Sequence, residues 1–145
     1  MTAQRLEHVG IVVEDLPAAV GFFVALGLSV QGEGPVEGEW AERIVGLDGL
    51  RAQIVLLGTP DGRGAVELAQ FHAPAAARGD EQAPPNVTGL RHLSFSVDDL
   101  EAVLARVRAC GGELVGEVGE YEDVYRLCYV RGPAGVIVEL AQRLD

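Results

Sequence analysis

Apolar and polar positions follow the same sequence of patterns twice along the chain. Alternation of apolar residues over 7–13, and again over 91–97, predicts two strands. Each strand is followed by an aspartate, Asp15 or Asp99, and then by apolar residues spaced at three and four, which predicts a helix with an aspartate N-cap. The pattern therefore predicts two strand-helix units with the same layout.

These two units form an internal repeat. "LEHVGIVVEDL" at 6–16 aligns with "LRHLSFSVDDL" at 90–100 at a constant shift of 84 positions. A second pair, "AVELAQ" at 65–70 and "IVELAQ" at 137–142, is 72 positions apart. Because a duplication is a property of the whole fold, it outweighs local propensity.

Each half continues with short strands, and a linker separates the halves. The strand candidates are 28–33, 43–47, 51–57 and 66–71 in the first half, one too many, and 113–118, 125–130 and 136–142 in the second. Residues 73–88, rich in alanine and proline without periodicity, predict a flexible linker. The predicted fold class is α+β, with two tandem βαβββ modules at 1–72 and 89–145. Neither module buries its sheet face alone, so the two must pair into one structural domain, within one chain or between chains.

Composition and charge restrict the possible functions. The 145 residues are 48% apolar and carry a formal net charge of -11, which argues against nucleic acid as a partner. Without an apolar run of membrane-spanning length or a signal-peptide pattern, we expect no membrane partner and a cytoplasmic location. The spacing of Cys110 and Cys128 matches no metal or redox motif, so both are predicted to be buried free thiols.

Two histidines and two glutamates occupy equivalent positions in the repeat. Since successive strand side chains alternate between faces, His8 and His92 lie opposite the apolar residues that pack on the helices. Glu67 and Glu139 have the same parity in the closing strands. A carboxylate flanked by apolar residues in mid-strand is costly to bury unless positive charge compensates it.

The four side chains His8, Glu67, His92 and Glu139 are a suitable ligand set for a divalent metal such as Zn, Ni, Co, Fe or Mn. The sequence leaves two alternatives to a metal site open. Either histidine could be a hydrogen-bonded core residue, and either glutamate could lie on the surface of an edge strand. The duplication favours the metal site, because both His-Glu pairs recur at equivalent ends of equivalent units.

The motifs "HVGIVVEDL", "AVELAQF", "RHLSFSVDDL" and "RGPAGVIVEL" resemble the vicinal oxygen chelate superfamily, in the same order. That superfamily includes glyoxalase I, methylmalonyl-CoA epimerase, extradiol dioxygenases, and fosfomycin and bleomycin resistance proteins. The resemblance implies that the modules pair into a cupped, barrel-like mixed sheet. It also implies a glyoxalase I-like His/Glu/His/Glu ligand set at the same four positions. Val12 stands where a glutathione-binding arginine is typical, which leaves the use of glutathione open.

The implied activity is that of a metal-dependent lyase, isomerase or epimerase, so we expect an enzyme. The ion would bind a small substrate through two oxygens, and Glu139 or Glu67 would move a proton through an enediolate. One alternative is a cavity protein that binds an antibiotic, as bleomycin resistance proteins do. Another is an Fe(II) dioxygenase, which a fourth protein ligand disfavours. A small-molecule ligand and a homodimer are the expected partners.

Overall fold

The computed structural model describes all 145 residues, which form two compact units, Met1–Arg78 and Gly79–Asp145. The division falls within the segment predicted to be the linker. Each unit contains one mixed sheet with one long helix.

The first unit is a four-stranded sheet in the order β1-β4-β3-β2. Strands β1 and β4 are parallel, and the other neighbours are antiparallel. Its elements are β1 (Val9–Val12), α1 (Leu16–Leu26), β2 (Ser29–Glu37), α2 (Glu39–Val45), β3 (Arg51–Gly58) and β4 (Ala65–Ala73).

The second unit repeats this arrangement with one additional short strand. Its main order is β5-β9-β8-β6, β7 pairs with β8, and the only parallel pair is β5 with β9. Its elements are β5 (His92–Ser96), α3 (Leu100–Ala109), β6 (Glu113–Leu114), β7 (Gly119–Tyr121), β8 (Tyr125–Arg131), a 3-10 turn (Pro133–Gly135) and β9 (Ile137–Arg143).

The predicted α+β class is confirmed, and neither sheet closes into a barrel. In both units the first strand is parallel to the last and antiparallel strands follow beyond it. The repeat therefore extends from the sequence to the strand order.

One predicted strand, at 43–47, is wrong, because most of this segment belongs to helix α2. Gly46, at φ +79°, ends the helix in the left-handed conformation that glycine tolerates best. Glu39 and Arg43 form an ion pair one turn apart, and Ala41 is buried in a small apolar cluster. These contacts outweigh the strand propensity of the sequence "RIV", and they account for the extra candidate in the first half.

The predicted strand at 113–118 is also wrong in extent. Strand β6 contains only Glu113 and Leu114, the backbone N–H of Val115 adds one hydrogen bond to Tyr129 of β8, and strand pairing resumes in β7 at Gly119. The intervening residues include Gly116, which weakens a strand because it has no side chain to pack. This break gives the second sheet its fifth strand.

Both long helices begin where the aspartates predict. Asp15 accepts a hydrogen bond from the backbone N–H of Ala18 at 3.0 Å, and Asp99 accepts one from Ala102 at 3.1 Å. Helix α1 contacts β2, β3 and β4, and α3 contacts β9. The core therefore lies on the helix side of each sheet.

None of the helices combines the length and the apolar composition that a membrane-spanning segment needs.

The two cysteines differ in exposure. Cys128, in β8, is buried as predicted, but the same prediction is wrong for Cys110, which is exposed. Cys110 caps the end of α3, past Val107, the last buried residue of that helix. Burial raises the pKa of the Cys128 thiol, and the Glu101 carboxylate adds to the increase.

This difference predicts that one thiol per chain reacts readily in the folded protein. A thiolate is the reactive form, so the raised pKa and burial of Cys128 both slow its reaction. With Ellman's reagent at pH 8, we expect about one fast thiol in the native protein and both thiols in denaturant. Cys110→Ser should remove the fast reaction. Equal rates for two thiols in the native protein would contradict the burial of Cys128.

Candidate functional site

The face of each sheet opposite the core bears the four predicted ligands. Val66 and Leu68 in β4 are buried on the helix side, so Glu67 between them lies on the other face. Val138 and Leu140 place Glu139 in the same way in β9. The sheets thus hold both carboxylates away from the apolar core.

The two glutamates lie on central strands. Strand β4 is bordered by β1 and β3, and β9 is bordered by β5 and β8. The alternative that each glutamate is an edge-strand surface residue is therefore wrong. His8 and His92 are both exposed, so the alternative of core histidines is also wrong. His8 directly precedes β1, and His92 is the first residue of β5.

In the first unit, His8 and Glu67 face each other across β1 and β4. His8 Nε2 lies 3.5 Å from Glu67 Oε2, and their side chains are 38% and 30% exposed. That separation is longer than an ordinary hydrogen bond, so the two groups do not hold each other tightly. A histidine nitrogen lies about 2.0–2.1 Å from a zinc ion and a carboxylate oxygen about 2.0–2.2 Å, so the two atoms can be at most about 4.3 Å apart and this pair fits a shared ion.

In the second unit, Glu139 is held by a neighbour. Ser94, its register partner in β5, donates its hydroxyl to Glu139 Oε1 at 2.7 Å. Tyr129 in β8 is the register partner on the other side, and its ring lies 4.9 Å from the His92 ring, centroid to centroid. Paired residues share a face, so His92, Ser94, Tyr129 and Glu139 form one polar group.

This group borders an open cavity of about 530 Å³ in the second unit. Glu139 and Tyr129 supply polar lining, while Leu127 and Pro85 supply apolar lining. Tyr121, in β7, lines the same cavity. A small molecule in this cavity would therefore contact the Glu139 carboxylate together with an aromatic wall.

Two arginines fix the segment that carries Pro85. Arg131 donates to the backbone carbonyls of Glu81 and Ala83, at 3.3 Å and 3.0 Å. Arg91 donates to the carbonyls of Ala83 and Pro84, at 3.0 Å and 2.7 Å. These hydrogen bonds join residues 81–84 of the predicted linker to the rest of the second unit, and arginine donors that bind backbone carbonyls leave no periodic signal in a sequence.

Each unit thus brings together one histidine and one glutamate, which we call a half-site. No group of three or more His, Cys, Asp or Glu side chains in the structure has an arrangement that could hold a metal ion. The contribution of Ser94 was missed by the sequence analysis, which considered only the histidines and glutamates of these strands. The sequence signal that could have identified Ser94 is that the equivalent position of the first module is Gly10, which has no hydroxyl.

Comparison of the sequence with the profiles of known families identifies the family of this chain. The profile of the glyoxalase/bleomycin resistance protein/dioxygenase superfamily matches residues 7–130, which span both half-sites except Glu139. The chain belongs to this superfamily. Its members include glyoxalase-like enzymes, bleomycin resistance proteins and dioxygenases, and some are metal-dependent enzymes such as glyoxalase I.

Other known proteins match this chain over nearly its whole length. A crystal structure of a glyoxalase family protein from Bacillus cereus is 41% identical, with a TM-score of 0.95 over 100% of this chain and 97% of that one. The uncharacterized protein YwbC of Bacillus subtilis is 26% identical over 97% of this chain and 99% of its own length. A glyoxalase I mutant from Zea mays, 21% identical, shares the fold with a TM-score of 0.69 over 97% of this chain and 45% of that one.

Proposed function

We propose that this protein is a divalent-metal-dependent lyase, isomerase or epimerase of the glyoxalase kind. Its substrate would be a small molecule that binds through two oxygens. The observation that supports this most is the repeated half-site: one histidine and one glutamate on the open face of each sheet, at equivalent positions of the two modules. Family membership supports the same chemistry, since metal-dependent enzymes occur within it.

The proposed ligands are His8, Glu67, His92 and Glu139, so a complete site needs both half-sites. They would come from one chain or from two chains of a homodimer. Imidazole and carboxylate donors suit Zn, Ni, Co, Fe or Mn. When bound, the ion supplies a Lewis acid that stabilises negative charge developing on a substrate oxygen.

The protein's own contribution is proton transfer. A carboxylate, Glu139 or Glu67, would take a proton from the carbon next to a carbonyl and return it. Glu139 is the better placed of the two for a ligand in the second-unit cavity, because it lines that cavity directly. Leu127 and Tyr129 form the wall beside it, where they would contact the substrate.

A second candidate function is the binding of an antibiotic or other small aromatic compound without chemistry. Two tyrosines, Tyr121 and Tyr129, line the open cavity, and the net charge of -11 favours a cationic ligand. Bleomycin resistance proteins belong to the same superfamily. An Fe(II) dioxygenase is the weaker alternative, because four protein ligands leave fewer open positions for oxygen and substrate.

Metal stoichiometry separates the enzyme from the binding protein. Protein purified without chelator or metal-binding tag and then reconstituted should hold about one divalent ion per chain. His8→Ala and Glu67→Gln should each weaken metal binding by at least about tenfold, since each removes a ligand. The control is His72→Ala, which removes the one histidine outside the proposed set. Less than about a tenth of an equivalent after reconstitution would contradict the proposal.

Glu139→Gln tests the proton-transfer role. We expect the metal-loaded protein to exchange the α-proton of a compound in a panel of α-hydroxyketones and α-hydroxyaldehydes, followed in D2O by loss of the ¹H NMR signal. Removing a catalytic base costs about 10²–10⁴-fold, so Glu139→Gln should slow the exchange by at least about 100-fold. Glu101→Gln is the control, since Glu101 pairs with Arg126 on the helix side. Full exchange by Glu139→Gln would exclude Glu139 as the essential base.

A further inference from the structure

The two half-sites have the same backbone register but a different residue beside each glutamate. Gly10 is the register partner of Glu67, and Ser94 is the register partner of Glu139. Gly10 and Ser94 are equivalent positions of the repeat, 84 residues apart. One glutamate therefore lies beside a hydroxyl, and the other lies beside a residue with no side chain.

The hydroxyl of Ser94 binds its glutamate directly. The O–H donates to Glu139 Oε1 at 2.7 Å, the usual length for a hydroxyl-oxygen hydrogen bond. A hydrogen bond to a charged carboxylate is stronger than one between neutral groups. This hydrogen bond engages Oε1 and restricts the orientation of the Glu139 carboxylate.

Glu67 has a looser arrangement. Its contact is His8, whose Nε2 lies 3.5 Å from Glu67 Oε2, a separation longer than an ordinary hydrogen bond. Its register partner, Gly10, has no side chain that could donate a hydrogen bond. Ser94 therefore holds one oxygen of Glu139, and Gly10 at the equivalent position does not hold Glu67.

We propose that Ser94 is a positioning residue that orients Glu139 for metal binding and makes the second half-site the better organised of the two. This inference rests on the proposed function, since it takes Glu139 to be a metal ligand. Partners that hydrogen-bond to ligating carboxylates commonly contribute about 10–100-fold to metal affinity. Ser94 would act only through Glu139.

The test is Co²⁺ binding, measured by calorimetry and by the visible absorption of the bound ion. Ser94→Ala should bind Co²⁺ about tenfold more weakly than the wild type. Ser94→Thr keeps the hydroxyl and should bind within about twofold of the wild type. Ser96→Ala is the matched control, since Ser96 is the next residue on the same face of β5 but is paired with Ala141 instead of Glu139. Circular dichroism melting confirms that each variant is folded.

A double-variant comparison shows whether Ser94 acts through Glu139. When Glu139 is already replaced by Gln, adding Ser94→Ala should change Co²⁺ affinity by less than about twofold. When Glu67 is replaced by Gln instead, adding Ser94→Ala should still weaken Co²⁺ binding by about tenfold. An equal loss in both backgrounds would overturn the proposal, as would wild-type affinity in Ser94→Ala. In both cases the proposed function stands. If the wild type itself binds no Co²⁺, the proposed function fails and this inference fails with it.

Discussion

The candidate site depends on one constraint: a carboxylate in the middle of a central strand must face away from the helix that covers the sheet. Glu67 and Glu139 are each flanked by two buried aliphatic residues, and these neighbours face the core. A slip of one residue in register would move each glutamate into that core. Burying an unpaired carboxylate there would cost much free energy. The apolar packing that stabilises each unit therefore also determines where its carboxylate lies.

Much of this arrangement could be predicted because it follows from the two-residue period of strands. The repeat located both histidines and both glutamates, and the aspartate caps located the helix starts. Helix α2 could not be predicted in this way, because seven residues are too short for a clear helical period. It is stabilised by tertiary packing of Ala41 with Leu50 and Ala52.

Other features escape prediction because they depend on contacts between distant residues. The hydrogen bond from Ser94 joins positions 45 residues apart, and Arg131 reaches carbonyls 48 and 50 residues away. Neither contact follows from a local pattern. Excluding the alternative that the glutamates lie on edge strands also required the strand order, because the sequence does not show which strands are central.

The proposed metal centre needs an imidazole from each module, whether the modules belong to one chain or to two. X-ray absorption fine structure of the Ni²⁺-loaded protein counts those imidazoles directly. We expect two imidazole ligands per ion, with oxygen as the remaining scatterers, and the loss of one imidazole in His92→Ala. One imidazole or none in the wild type, or sulfur among the ligands, would contradict the proposed site.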